Sequence, residues 1–181
     1  MINRLKLALL ASGSVLLSAC VTPTSSSMLV FPEPVDTQYL MTIKSASVVD
    51  TRTDKSLATI NGEKTPANPN LEANLTNWLN KSIATNTRGY KHLEISLVNF
   101  STYVMQGTMQ FDAESVIEWQ AKLTNLNDNG TWQKSYQRSL KQDGLLNLSK
   151  AEIEGHLNKL AHQLLQDTVS DPEFKNAVGK K

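Results

Sequence analysis

Four groups of side chains in this sequence are of types that could do chemistry. Cys20 is the only thiol, and Asp112 and Glu114 are carboxylates two residues apart. His92, His156 and His162 are the only imidazoles, and Asp50, Arg52 and Asp54 gather alternating charge within five residues. A thiolate is a nucleophile that a lipid donor can alkylate. Paired carboxylates divide acid and base roles where a pocket sets their pKa values apart, so Asp112 and Glu114 are the candidates for a hydrolase. The Arg52 guanidinium is a planar fork that grips a carboxylate or phosphate through parallel hydrogen bonds. Asp50, Arg52 and Asp54 are therefore the candidate partner-binding cluster.

Each group also has a plainer reading. In a turn, Asp50 and Asp54 can bond nearby backbone amides while Arg52 pairs with one of them, and the flanking acids compete with an anionic ligand. On an exposed sheet face, Asp112 and Glu114 serve as solubilising charge and edge protection. His156 and His162 lie six apart on one expected helix, about a third of a turn out of phase, so they cannot share a metal. No metal site and no cofactor is expected. No G-x-S-x-G elbow, HExxH pair or glycine-rich phosphate loop is present. Trp78, Trp119 and Trp132 each fall on an apolar face, which favours core packing over a ligand-stacking platform.

The setting of Cys20 is more specific. MINRLKLALLASGSVLLSAC begins with Arg4 and Lys6, continues with an apolar stretch over Leu7 to Leu17, and ends on the cysteine. That stretch has the length of an export signal and falls short of the roughly 20 residues a spanning helix needs. Leu17-Ser18-Ala19-Cys20 resembles the lipobox of bacterial lipoproteins. The resemblance implies lipidation of Cys20, cleavage before it, and acylation of its new amino group. Several chains are needed because one alone anchors a protein only marginally. Val21 follows the cysteine, where an aspartate tends to retain such lipoproteins in the inner membrane, so the expected place is the periplasmic face of the outer membrane.

The rest of the chain divides accordingly. Residues 1–19 read as signal peptide, 20–36 as the lipidated cysteine and a flexible tether, and 37–181 as one periplasmic domain. The tether assignment rests on the Ser, Thr and Pro of VTPTSSSMLVFPEP. Loss of Arg4 and Lys6 takes the 18 basic residues to 16, against 17 acidic. A chain so close to neutral gives no electrostatic case for nucleic acid.

The elements that must position these groups follow from periodicity. YLMTIKSASVV, from Tyr39, is strand-prone and ends in the polar turn DTRTDK. Asn68-Pro69 reads as an N-cap and first helical position, and Leu71, Leu75, Trp78, Leu79 and Ile83 give that helix one apolar face. Gly89 is expected as its left-handed C-terminal cap. HLEISLVNFSTYVM is a strand whose apolar phase shifts near Val98, as a bulge would cause. Met109, Phe111, Ala113, Ser115, Ile117, Trp119, Ala121 and Leu123 alternate with Gln110, Asp112, Glu114, Glu118, Gln120 and Lys122, the pattern of a long strand with one wet face. Asn127-Asp128-Asn129-Gly130 is a hairpin signal before the return strand with Trp132, Tyr136 and Leu140. Ser149 and Glu152 form a capping box for a second amphipathic helix, and Asp171-Pro172 caps a short final helical segment. The expected fold class is α+β: a two-layer sandwich, with a mostly antiparallel sheet of about four to five strands and two amphipathic helices on one face.

The order and spacing of several short motifs resemble the YajG-type lipoproteins of Gram-negative bacteria. They are Asp50-Thr51-Arg52-Thr53-Asp54 with Leu57-Ala58, then Arg88-Gly89-Tyr90, Gln106-Gly107, Lys134-Ser135-Tyr136, and finally Asp167, Asp171 and Phe174. The resemblance spans nearly the whole mature chain. It implies an outer-membrane-directed lipoprotein and brings no catalytic residues. The resulting expectation is a non-enzymatic, lipid-anchored binding or accessory module. Its partners would be the membrane, through the lipid, and an envelope protein or peptidoglycan. The alternatives are a periplasmic hydrolase using Asp112 and Glu114, or a carrier of a small apolar ligand between sheet and helices.

Overall fold

The computed structural model describes residues 27–35 and 42–179. The signal segment, Cys20, the end of the tether at residue 36 and the expected strand start at Tyr39 lie outside the described residues. The elements are β1 (Ile43–Asp50), β2 (Ser56–Ile60), β3 (Glu63–Pro66), α1 (Leu71–Ser82), β4 (Lys91–Gln106), β5 (Gln110–Asn125), β6 (Thr131–Leu145), α2 (Lys150–Ser170) and α3 (Pro172–Gly179). They form a mixed α+β fold with a six-stranded open sheet and three helices. The counts exceed the expected four to five strands and two helices. The α3 segment was anticipated after Asp171-Pro172; the unanticipated hairpin is β2–β3. It turns on Asn61 and Gly62, at φ 50 and 87, as a two-residue hairpin loop requires. Strands of five and four residues are too short to show alternation, so only the Asn-Gly pair marks them in the sequence.

The strand order is β3-β2-β4-β5-β6, with β1 also on β4. The β4–β5–β6 ribbon and the β2–β3 hairpin are antiparallel. Both β1 and β2 run parallel to β4, the first along Lys91–Leu97 and the second along Thr102–Val104. They therefore share one edge of β4 end to end, and the register of β4 shifts between Leu97 and Asn99, where the apolar phase slips in the sequence.

The alternation read in β5 is realised. Phe111, Ala113, Ser115, Ile117, Trp119, Ala121 and Leu123 are buried, and α1 and α2 cover that face. Leu71, Leu75, Trp78 and Leu79 of α1 and Ile153, Leu157, Leu160 and Leu164 of α2 close the core. Each such side chain is worth about 1.5–3 kcal/mol when removed from water. Buried polar atoms on this face are paired: Thr102 with Ser115 at 2.8 Å, and the Trp119 indole donating to Thr168 at 3.2 Å.

Residues 27–35, which composition assigned to a flexible tether, lie along the domain. Met28, Val30 and Val35 are buried. The Leu29 amide donates to Glu154, the Phe31 amide to Asn158, the Val35 amide to Ser82, and the Trp78 indole to the Glu33 carbonyl. This strap bridges α1 and α2. It also moves the start of α1. Met28 exchanges backbone bonds with Pro66 and Asn68, so the chain is still bridged at Asn68. Helix begins only at Leu71, and Asn68 accepts from the Asn70 amide rather than capping α1. Gly89 is not the C-terminal cap either. Ile83 closes the last turn on Leu79, and Ala84 takes the left-handed position at φ 44. Gly89 serves close approach instead: a Cβ there would meet the Lys44 nitrogen at 2.6 Å. The capping box of α2 is present as read, with Ser149 and Glu152 bonding each other's amides.

Candidate functional site

The Asp50–Asp54 turn fills the gap between β1 and β2 along the edge of β4. Arg52 is only 5% exposed. Its Nε and Nη2 donate to the two oxygens of Asp50, both at 2.8 Å, and its Nη1 donates to the carbonyls of Phe100 at 2.7 Å and Ser56 at 3.1 Å. The guanidinium also lies 6.0 Å from the centroid of the Phe100 ring. Thr51 supplies the neighbouring donors, giving both its amide and its hydroxyl to the Leu97 carbonyl. Asp50 further meets Lys55 at 3.2 Å. Burial opposes its ionisation, but the hydrogen bonds and charge of Arg52 outweigh it and hold the carboxyl below its ordinary pKa. The structure thus brings Asp50 and Arg52 together in an inward-facing pair. Asp54 stands apart from them, accepting from the Ser56 amide and pairing with Lys64 at 2.7 Å on the surface. Hydrogen bonds from Lys64 and Ser56 keep its pKa low. Of the two sequence readings, this geometry is that of the internally satisfied turn, with Thr53, Asp54 and Lys55 as its exposed rim.

Asp112 and Glu114 lie on the sheet face away from the helices. Glu114 is half-exposed and stands 3.5 Å from Lys141 across the β5–β6 pair, and Asp112 is exposed opposite Asp143. Such exposure is not the common enclosing pocket that the hydrolase reading needs. The histidines occupy three separate places. His92 bridges the Ser45 and Ser47 hydroxyls at 2.8 and 3.1 Å. His162 Nδ1 lies 2.9 Å from the Glu33 carbonyl. His156 is half-buried, and burial lowers its pKa against the opposing charge of Glu152. Among the described residues no three His, Cys, Asp or Glu side chains are grouped to hold a metal.

The sequence gives no hint of a surface cavity of about 550 Å³ between the β5–β6 turn and α3, lined by Lys91, Asn125, Asp128, Trp132, Glu173 and Asn176. Lys91 is buried, and its ammonium donates to the Ala177 and Val178 carbonyls at 2.7 and 2.8 Å. Carbonyls at a helix C-terminus suit a cation. Burial nevertheless pushes the Lys91 pKa down, partly offset by Asp128. This lysine is engaged in docking α3, which leaves amides and two acids to face the cavity.

A family described as "Uncharacterized lipoprotein" matches residues 35–178. The chain belongs to this family, the YajG family. A search of curated proteins gave no significant match. Among solved structures, the Xanthomonas campestris protein XCC0632 aligns with a TM-score of 0.49 at 15% identity, covering 84% of this chain and 98% of its own. An uncharacterised protein aligns with a TM-score of 0.52 at 12% identity, over 80% and 98%. A putative neuraminyllactose-binding hemagglutinin homolog from Helicobacter pylori aligns at 0.44 and 8% identity, over 83% and 96%. At these identities only the fold is shared, and of these three the 0.52 alignment is close enough to show it.

The residues that carry the YajG resemblance are structural fasteners in this chain. Arg52 closes the β1–β2 gap, and Gly89 admits β1. Gln106 donates to the Leu148 carbonyl at 3.0 Å. Lys134 and Tyr136 both bond Asp171, at 2.8 and 2.9 Å, tying β6 to the start of α3. Arg138 of the same strand pairs with Asp167. Phe174 packs edge-on against Trp132 with centroids 5.5 Å apart. Membership in a lipoprotein family makes this a membrane-associated envelope protein. Among the described residues no helix is long and apolar enough to cross a membrane.

Proposed function

We propose that the protein is a non-enzymatic lipoprotein held by a lipidated Cys20 at the periplasmic face of the outer membrane, where it acts as a binding or accessory module. One observation carries the reading: an apolar run ending in Leu17-Ser18-Ala19-Cys20 precedes a domain of a lipoprotein family. The groups that could have done chemistry support it. Arg52 is spent on internal bonds, and Asp112 and Glu114 face solvent. Intact-mass spectrometry of the full chain expressed in a Gram-negative host, with membrane fractionation, tests it. A mature chain starting at Cys20 with added acyl mass in the outer-membrane fraction is expected, and Cys20→Ala should abolish both. A processed chain without acyl mass would overturn the anchor, and an inner-membrane location would overturn the sorting.

A protein or peptidoglycan partner would meet the rim of the Asp50–Asp54 turn, with Asp50 and Arg52 setting its shape and Asp54 presenting charge. A photoreactive residue in place of Thr53 should capture one envelope component reproducibly and lose it in Asp54→Ala. Capture at background level only would return the whole turn to structure.

A further inference from the structure

Met105, Met109, Leu145 and Leu146 are the four most exposed large apolar side chains among the described residues, between 69% and 80%, and Tyr103 on β4 is 56% exposed. They gather at one end of the sheet. Met105 is the penultimate residue of β4, Met109 sits in the β4–β5 turn, Leu145 pairs with Gln110, and the Leu146 amide donates to the Met109 carbonyl at 3.1 Å. Leu146 stands at φ 71, a left-handed position that suits glycine or asparagine far better than leucine. Scattered surface leucines are ordinary, but a contiguous apolar tip marks a contact surface.

The start of the strap lies at the same end. Gln106 bonds the Leu148 carbonyl, and two residues on, the Lys150 ammonium donates to the Ser27 carbonyl at 2.6 Å. From Ser27 the strap runs along α2 away from the tip, meeting Glu154, Asn158 and His162 from Leu29, Phe31 and Glu33. Two extended residues span about 6.6 Å and four helical ones about 6 Å, so the two advance together. Seven peptide steps separate Cys20 from Ser27, a reach of at most about 25 Å. The opposite end of β5, sixteen residues long, stands about 50 Å away.

We propose that this tip seats in the lipid surface to which Cys20 is anchored. The inference rests on the lipid-anchor reading above and adds how the domain is oriented. The outermost row, Leu145 beside Gln110, carries no charge, whereas Met105 shares the next row with Asp112 and Asp143, and Tyr103 the row after it with Glu114 and Lys141. An anionic partner is therefore not what the tip recognises. Apolar side chains at the very end of the sheet suit the boundary between headgroups and acyl chains, and the acidic pair in the Met105 row limits the depth. Lying flat would press the charged rows against lipid.

The test uses the full chain, processed in a Gram-negative host and reconstituted in phosphatidylcholine vesicles containing nitroxide-labelled acyl chains. Lipidation occupies Cys20, so Met109→Cys and Asn127→Cys each offer one free thiol for an environment-sensitive dye. Dye emission at Met109→Cys should be quenched about twofold or more, and at Asn127→Cys hardly at all, as a tip seated at the interface requires. Adding Met105→Ser, Leu145→Ser and Leu146→Asn should bring the Met109→Cys signal to the Asn127→Cys level while the protein still floats with the vesicles. Flotation without quenching at Met109→Cys overturns the inference alone. Disulfide coupling of Met109→Cys between two copies makes the tip a self-association surface and also overturns it. A chain that carries no acyl mass and does not float overturns the anchor reading, and this inference with it.

Discussion

Replacing Arg52 with methionine should destabilise the domain far more than removal of a surface charge does. Methionine keeps much of the length and apolar stem, so the packing loss is small. What disappears is the donor set. Asp50, whose side chain is 9% exposed, keeps only the half-exposed Lys55 as a charged partner. The carbonyls of Phe100 and Ser56 lose Nη1. Breaking a buried ion pair by removing one partner costs about 3–5 kcal/mol, and each buried carbonyl left without a donor adds about 1–3 kcal/mol where water cannot reach it. Lys55 and entering water offset part of this, so about 3–5 kcal/mol is expected for Arg52→Met. Total stabilities are about 5–15 kcal/mol, so the loss is a large fraction. The assay is guanidinium unfolding followed by tryptophan fluorescence, since Trp78 and Trp119 are buried reporters 6.5 Å apart. Arg52→Lys should fall between, because one ammonium cannot serve both Asp50 and the β4 carbonyl. Asp50→Asn combined with Arg52→Met should recover part of the loss by removing the stranded charge. A loss under about 1 kcal/mol, the range of an exposed pair, would refute the structural role and make Arg52 available for a ligand.

Three further outcomes follow from other fasteners. Gly89→Ala should cost about 1–3 kcal/mol because the new methyl meets backbone rather than a movable side chain, lowering the thermal midpoint; an unchanged midpoint would mean β1 yields freely. Val30→Ser removes a buried apolar group from the strap and should speed proteolytic cleavage within residues 27–35 severalfold while β4–β6 stays intact; simultaneous cleavage of the ribbon would show that strap and sheet unfold as one unit. Asp171 is held down to about 2, chiefly by its hydrogen bond from Lys134, with burial opposing and the Glu173 amide and Tyr136 hydroxyl assisting. Its folded pKa lies below the ordinary 3.8, so its contribution to stability is present above about pH 4 and lost toward pH 2. Asp171→Asn should flatten that part of the curve of unfolding midpoint against pH, and an unchanged slope would count against the Lys134–Asp171 tie.

What was legible in the sequence was what repeats over many residues. The alternation gives β5 and its buried face from Phe111 to Leu123, with Met109 falling in the exposed turn before it; the spacing Leu71-Leu75-Trp78-Leu79 gives α1, and Ser149 with Glu152 gives the start of α2. What was not legible depends on contacts far along the chain. Asn68-Pro69 looks like a helix start, but Met28 holds that stretch in a backbone bridge. Residues 27–35 read as linker because they continue a Ser-, Thr- and Pro-rich stretch, and no local pattern tells the buried Met28, Val30, Pro32 and Val35 from the exposed Leu29 and Phe31. Gly89 has a cap's position and serves as a gap for β1. The candidate cluster was half legible: the types and spacing of Asp50 and Arg52 announce a pair, but no local pattern says that the fork points inward at Phe100.

That inward fork explains why an arginine stands where two strands share one edge. β1 and β2 do not run as one strand along β4: β1 pairs as far as Leu97 and β2 from Thr102, on either side of the point where the register of β4 against β5 shifts. The five residues between them must leave the edge, and wherever backbone leaves a sheet, carbonyls on the neighbour lose their donors. Thr51 supplies the Leu97 carbonyl, and Arg52 reaches back to Phe100 and Ser56 at once. A lysine could satisfy one of these but not the spread of acceptors, because its donors radiate from a single atom. Asp50 then balances the charge that burial would otherwise disfavour. The same turn sends Asp54 and Lys55 outward, fixed by their backbone to a rigid seam. If the turn does meet a partner, its recognition rim is preorganised by a buried salt bridge, so Arg52→Met should weaken partner capture and stability together, whereas Asp54→Ala should weaken capture alone.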